Sequence, residues 1–377
     1  MANSRSILDA TKRLVVKIGS SLLVDDQGAL RQEWMAAFAA DIATLKARGT
    51  QIVIISSGAI SVGRRVLDLA AGPRNRALRL EESQAAAATG QIRLAHAWQE
   101  ALARLDIHVA QILLTLDDTE DRRRFLNARS TIDTLLTMGV VPVVNENDTV
   151  ATDEIRFGDN DRLAARVAQM IGADTCVLLT DIDGLYTADP NVDDTAQHVG
   201  EITAITPDIE AMAGARLSAD GSGGMITKLE AARIAMGAGC RLGIAGGHEH
   251  HPLGQLMDGA RCSWFLPSSE PQTARKQWIA AGLSPSGSLA VDAGAAKALR
   301  GGKSLLPAGV VEVTGRFTRG DMVTVLDLEG TEIARGLSAY SAEDARRIVG
   351  HKSGEIEALL GYRGREEMIH RDNLVLR

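Results

Sequence analysis

A lysine within an apolar strand is the first residue of chemical interest. In Val15-Val16-Lys17-Ile18-Gly19-Ser20-Ser21 the ammonium of Lys17 falls in a run that is otherwise hydrophobic. Such a placement is costly unless the charge meets an anion. The glycine that follows lets backbone come close to a phosphate and offer N–H donors. An exposed strand end also accepts a lysine, so the stretch alone leaves both readings open. It is not a Walker loop, because the chain contains neither GxxxxGK[ST] nor GxGxxG.

A second cation follows a glycine-rich loop. Gly221-Ser222-Gly223-Gly224-Met225-Ile226-Thr227-Lys228 leads into a helical pattern whose apolar stripe is Met225, Leu229, Ala232 and Met236. Lys228 lies at the margin of that stripe in the first turn. A Gly-rich loop feeding a helix start is a ready anion site. A lysine there opposes the helix dipole and calls for a counter-anion, which favours a phosphate over a solvated surface lysine.

Two polar clusters stand between these cations. They are Asn145-Glu146-Asn147-Asp148 and Phe157-Gly158-Asp159-Asn160-Asp161. Taken singly, Asp161 reads as an N-cap and Asp159 as a turn residue. Beside a cationic site, the same carboxylates and amides could grip a substrate ammonium and orient lysines. No dedicated metal cage is expected, since Mg2+ in nucleotide sites is held largely by phosphates and water. A fourth stretch, Leu178 to Pro190, ends a strand in Thr180-Asp181 and runs through a Gly184 turn to Asp189-Pro190; a plain connection explains its composition equally well.

The elements that must carry these groups follow from periodicity. Leu14–Ile18, Gln51–Ile55, His108–Leu114, Val140–Val144 and Thr175–Thr180 read as strands. Gln32–Arg48, Leu80–Leu105, Phe125–Met138 and Asp161–Ile171 read as helices. This alternation predicts a parallel sheet covered on both faces, with ligands beyond the carboxyl ends of its strands. Gly19–Ser21, Ser56–Gly58, Asn145–Asp148 and Thr180-Asp181 all fall at those ends. Pro267–Pro271 and Leu283–Ser288 are linker signals. Beyond them Gly309–Val313, Asp321–Leu328 and Glu332–Tyr340 form a separate β-rich region.

The bulk numbers agree. The 377 residues suit one large domain and one small one. A hydrophobic content of 45% with 3% aromatics requires a core of Ala, Val, Leu and Ile. The net charge of −7 argues against a general nucleic-acid or anionic-membrane binder. Cys176, Cys240 and Cys262 have no CxxC partner and read as reduced core residues of a cytoplasmic protein. Neither a signal peptide nor a membrane span is expected.

The four blocks, in this order, resemble the amino-acid kinase superfamily. Phe125–Arg129, Val140–Asp161 and Ser56–Ile60 resemble the glutamate 5-kinases within it, and about 286–364 resembles a PUA domain. The resemblance implies a three-layer α/β/α sandwich with a mainly parallel central sheet, plus a small β-rich PUA-like barrel. The implied boundaries are 1–266 for the kinase domain, 267–285 for a linker, 286–364 for the PUA-like domain and 365–377 for a tail. The implied reaction is transfer of the ATP γ-phosphoryl group to the side-chain carboxylate of L-glutamate, with Mg2+, as the first step toward proline. In that scheme Lys17 and Lys228 stabilise the transferring group and Asp161 organises them. Ser57, Gly58, Asp148 and Asn160 bind glutamate. Lys17, Gly19, Thr180, Asp181, Ser222, Gly223, Gly224, Met225, Ile226, Thr227 and Lys228 bind ATP. No protein metal ligand is implied. Proline as feedback inhibitor, glutamyl phosphate reductase as pathway partner and a homo-oligomer are implied as well. The loop departs from the family by Ser222 in place of threonine, which keeps the hydroxyl. Ser83-Gln84 stands where Lys-Gln is usual, on a surface helix.

The alternatives are a superfamily kinase acting on N-acetylglutamate, aspartate or a nucleoside monophosphate, or an RNA-binding PUA protein. Residues 286–364 hold ten Lys and Arg against ten Asp and Glu. That balance argues against RNA binding by the PUA-like region, which would need a net positive footprint.

Overall fold

The computed structural model describes residues 4–69, 78–150, 159–190, 192–213, 224–271, 273 and 285–376. It divides into two compact units, Met1–Pro271 and Gln272–Arg377.

In the first unit five apolar runs become strands, four of them buried almost throughout and the edge run Val109–Leu114 only partly covered. These are β1 (Arg13–Ile18), β2 (Gln51–Ile55), β3 (Val109–Leu114), β4 (Val141–Glu146) and β5 (Thr175–Thr180). A two-stranded ribbon pairs β6 (Leu185–Tyr186) with β7 (His198–Val199). β8 (Glu201–Ile202), β9 (Arg241–Gly246) and β10 (Cys262–Phe265) complete an eight-stranded sheet of order β3-β4-β2-β1-β5-β9-β10-β8. Two hydrophobic clusters flank it. Leu14, Val16 and Ile18 of β1 pack into one with Trp34, Phe38 and Ile42. Val15 packs into the other with Leu163, Ala164 and Leu229. The two-residue alternation of a strand thus splits β1 between the two helical layers.

β10 runs antiparallel to β9, so the sheet is parallel except for that one reversal. The helix expected from Asp161 starts two residues earlier, at Asp159. β4 continues through Asn145 and Glu146, beyond the apolar run that suggests it.

The second unit holds a five-stranded sheet of order β12-β11-β13-β14-β15, made of β11 (Gly287–Val291), β12 (Val310–Gly315), β13 (Met322–Leu326), β14 (Glu332–Leu337) and β15 (Leu374–Leu376). Two expectations are corrected here. Leu283–Ser288 is not wholly linker, because β11 begins at Gly287. A Cβ at that glycine would lie 2.4 Å from Thr314 O and 2.6 Å from a Phe317 ring carbon, so the glycine marks close packing within a sheet. The stretch expected as a C-terminal tail, 365–377, contains a strand, since β15 pairs antiparallel with β14.

Candidate active site

Lys17 and Lys228 meet at one carboxylate. The alternation of β1 turns Lys17 toward the face shared with Val15, where the helix Asp159–Ile171 packs. Asp161 occupies the first turn of that helix. Lys17 Nζ stands 2.7 Å from Asp161 Oδ1. Lys228, from the first turn of the helix Met225–Gly237, donates to Asp161 Oδ2 at 3.2 Å. Asp161 is 0% exposed, Lys17 7% and Lys228 5%, so water screens none of the three. Burial pushes the Asp161 carboxyl up, but the two ammonium groups outweigh it and hold the carboxyl below its ordinary range. Reading Asp161 as a mere N-cap is thereby set aside. The trio carries a formal charge of +1 and favours an anion.

The residues expected on the nucleotide side come from the ends of β1 and β5 and from the start of the helix Met225–Gly237. Gly19 lies just past β1, its amide donating to Leu179 O at 3.0 Å. Its φ of −64° is one that any residue adopts, and an added Cβ would meet Leu179 O at an ordinary 3.5 Å. The protein's own packing therefore does not require glycine at position 19. At the end of β5, buried Thr180 donates its hydroxyl to Asp181 Oδ1 at 2.7 Å, and Asp181 is exposed. Gly224 caps the helix Met225–Gly237 without a side chain, as an anion-binding helix start requires. Thr227 Oγ1 lies 2.9 Å from Gly224 O and 3.5 Å from Asp161 Oδ2. Met225 packs on the core, while Ile226 is 45% exposed. Ser222 and Gly223 lie outside the described residues.

A second cluster occupies the ends of β2 and β4. Ser56 N donates to Val144 O at 2.8 Å, which sets the Ser56–Gly58 turn against β4. Asn160 Nδ2 donates to Ser57 Oγ at 2.8 Å and to Ser56 O at 3.2 Å, while its buried Oδ1 accepts nothing from the described residues. Asn145 Nδ2 donates to Gln91 Oε1 at 2.6 Å, and its buried Oδ1 likewise accepts nothing from them. Asp148 is buried in the turn after β4, and burial pushes its carboxyl up to about 6. Buried acceptors without donors are uncommon in folded proteins. Two of them in the same region as a buried carboxylate define a place for a ligand rich in N–H donors.

Gly58 serves this cluster through backbone geometry. Its φ is +93°, it caps the helix Ala59–Val66, and a Cβ there would approach Val24 Cγ2 to 2.8 Å. Sequence reasoning takes Asn145 only as one member of a polar run. The signal that could single it out is that β4 continues through it, which makes Asn145 a polar residue in a buried strand, as Lys17 is. Gln91 and Trp98, on the helix Leu80–Ala103, escape sequence reasoning altogether. Trp98 Nε1 donates to Ser56 Oγ at 2.9 Å. Among the described residues, no three His, Cys, Asp or Glu side chains group as metal ligands.

The comparisons with known proteins bear on the whole chain. Residues 12–246 match the amino acid kinase family and residues 287–360 the PUA domain. A glutamate 5-kinase of Paramagnetospirillum magneticum is 64% identical over 98% of this chain and 99% of its own length. A glutamate 5-kinase of Sinorhizobium fredii is 59% identical over 100% of this chain and 95% of its own. Among solved structures, a carbamate kinase from Giardia lamblia bound to AMP-PNP matches 69% of this chain and 100% of its own, with a TM-score of 0.50 and 16% identity. That likeness shows the fold alone.

Proposed function

The chain belongs to the amino acid kinase family as a glutamate 5-kinase carrying a PUA domain, and on that premise we propose how its residues divide the work. The reaction is ATP-dependent phosphorylation of the glutamate side-chain carboxylate, the first step toward proline. The nucleophile is already ionised at neutral pH, so it needs no general base. Phosphoryl transfer is then mainly positioning and charge neutralisation.

The observation that carries this reading is the buried trio of two ammonium groups on one carboxylate. Lys17 and Lys228 neutralise the phosphoryl oxygens as charge shifts between donor and acceptor. Asp161 holds both lysines in place. Gly19, Thr180, Asp181 and the segment Ser222–Thr227 take the rest of the nucleotide. At Gly19 the absence of a side chain serves the phosphates, since the protein's own packing does not demand it. The residue set fits Mg2+ held chiefly by phosphates and water, which when bound supplies further neutralisation.

Asp148, Asn145 and Asn160 accept the three N–H donors of the glutamate ammonium, and Ser57, set by Asn160 and by the Gly58 turn, completes the glutamate site. The reading keeps a kinase domain and a PUA domain on either side of a linker at 267–285, and a division of the chain into two compact units within that stretch supports it. Three free, buried cysteines suit a reducing cytoplasm. Among the described residues, no helix is long and apolar enough to cross a membrane. Proline as inhibitor, a homo-oligomeric state and a reductase that consumes the acyl phosphate belong to the same reading, which assigns no RNA to the PUA domain. The test is ADP release with ATP and Mg2+ over glutamate, aspartate and N-acetylglutamate. Glutamate should dominate, and equal turnover of N-acetylglutamate would overturn the ammonium site.

A further inference from the structure

We propose that Gln91 fixes the polarity of the Asn145 amide, and thereby makes the site select a free ammonium over an acylated amine. This rests on the reading of Asp148, Asn145 and Asn160 as the ammonium site. An asparagine amide is planar and two-faced, with an acceptor on one side and two donors on the other. Which face meets the ligand depends on what stands behind it. Behind Asn145 stands Gln91 Oε1, 2.6 Å from Nδ2. That contact turns Oδ1 the other way, where it is buried and accepts nothing from the described residues.

Gln91 is not free to withdraw, because its helix is anchored on both sides of it. Gly90, the preceding residue, lies so close to the start of the helix Ala59–Val66 that a Cβ would come within 1.9 Å of Ala59 O. Two turns further on, Trp98 is fully buried and holds Ser56. The helix therefore grips both turns of the glutamate cluster, Ser56 through Trp98 and Asn145 through Gln91.

The consequence is chemical selectivity. An ammonium brings three donors and is matched by an outward Oδ1. An acylated amine brings one N–H and a carbonyl, which an outward NH2 would suit better. To present that NH2, Asn145 would have to turn its Oδ1 onto Gln91, which keeps a hydrogen bond only if the Gln91 amide turns with it. With Gln91 as it stands, two acceptors would face each other in a part-buried place, each without a donor. Gln91 is thus a positioning residue that acts through Asn145.

The experiment compares the full-length parent with Gln91→Leu, Gln91→Glu and Asp148→Asn, measuring kcat and KM for glutamate, N-acetylglutamate and ATP, with a thermal melt of each. Leucine removes the acceptor at similar volume, while glutamate offers acceptors only. We expect Gln91→Leu to raise the glutamate KM roughly tenfold, the scale of one lost buried hydrogen bond, with kcat and the ATP KM little changed. Its preference for glutamate over N-acetylglutamate should narrow. Gln91→Glu should bring the glutamate KM back toward the parent. An unchanged glutamate KM in a folded Gln91→Leu protein overturns the proposal. So does a parallel rise in both substrates' KM with a lowered melt that Gln91→Glu fails to rescue, since that is a purely structural role. If Asp148→Asn leaves the glutamate KM untouched, the ammonium site itself is wrong; if it acts while Gln91→Leu is silent, only the role of Gln91 fails.

Discussion

Lys17 Nζ lies 2.7 Å from Asp161 Oδ1, which joins the central strand of the sheet to the first turn of the helix packed against it. The other oxygen of the same carboxylate takes Lys228. Such a trio is asymmetric toward mutation. Removing one lysine leaves a buried ion pair, whereas removing the carboxylate takes from both buried ammonium groups the anion they share.

Lys228→Met should therefore fold and lose turnover. Loss of one preorganised charge costs about 3 kcal/mol of barrier, roughly a hundredfold in kcat, with glutamate binding largely spared. Asp161→Asn should instead lose about 3–5 kcal/mol of stability at neutral pH, because both buried ammonium groups lose the carboxylate they share. The folded carboxyl is held below its ordinary value of 3.8. Its contribution to stability is present above that value and is lost as pH falls through the folded pKa. Urea titrations of parent and Asp161→Asn should diverge at pH 7 and converge in acid. Near-normal kcat in Lys228→Met would remove that lysine from the transition state.

The two glycines of the site make opposite predictions. Gly58→Ala combines a φ of +93° with a Cβ 2.8 Å from Val24 Cγ2. It should cost about 1–3 kcal/mol of stability, the range for a strained backbone position. Gly19→Ala has neither problem and should melt with the parent, within about 0.5 kcal/mol. Its effect should appear as a raised KM for ATP, where the new methyl meets the phosphates. A destabilised Gly19→Ala, or one with unchanged ATP KM, would show that the glycine answers to something other than the nucleotide.

Much of this site was legible in the sequence, and its gaps have physical causes. The strand ends stood out because apolar runs stop abruptly at Gly19, Ser56, Asn145 and Thr180, and parallel sheets bind ligands there. Lys17 stood out because a charge in an apolar run needs a partner. No spacing rule links positions 17, 161 and 228, so the residues alone do not pair them; the family resemblance names Asp161 as the organiser, and the fold brings one strand and two helix starts together around it. β11 was hidden because a glycine in a strand looks like one in a linker, and only the packing of Phe317 tells them apart. Gln91 gave no signal, because a glutamine on a helix is ordinary until its carbonyl is seen against Asn145.

Asp148 predicts a pH dependence. Burial raises its carboxyl from 3.8 to about 6, so the folded protein holds this proton more tightly than the unfolded chain does. The sign is opposite to that of Asp161. The stabilising contribution is complete below 3.8 and is lost as pH rises toward 6, leaving a cost of about 3 kcal/mol for the ionised group at neutral pH. Asp148→Asn should therefore stabilise the ligand-free protein above about pH 6 and leave it unchanged below about pH 4. A glutamate ammonium favours the ionised form, so glutamate should bind more tightly as pH rises from about 5 to about 7. Calorimetric titration across that range checks it, and a flat Kd would detach Asp148 from the substrate.

Proline tests the same cluster with a different amine. It carries an α-carboxylate and a charged secondary amine, but no side-chain carboxylate to phosphorylate. Its amine offers two N–H donors to Asp148, Asn145 and Asn160 where glutamate offers three, so it should occupy the site without reacting. Two ligands that share acceptors exclude each other, the limiting case of negative coupling. Proline should then raise the apparent KM for glutamate and leave kcat at saturating glutamate unchanged. Because both amines need an ionised Asp148, inhibition should weaken below about pH 6 in parallel with glutamate affinity, and Asp148→Asn should blunt both. Initial rates over a glutamate series at about pH 5.5 and about pH 7.5, with and without millimolar proline, measure all three effects. Inhibition that persists at saturating glutamate, or that survives Asp148→Asn, would place proline on a separate surface of the protein.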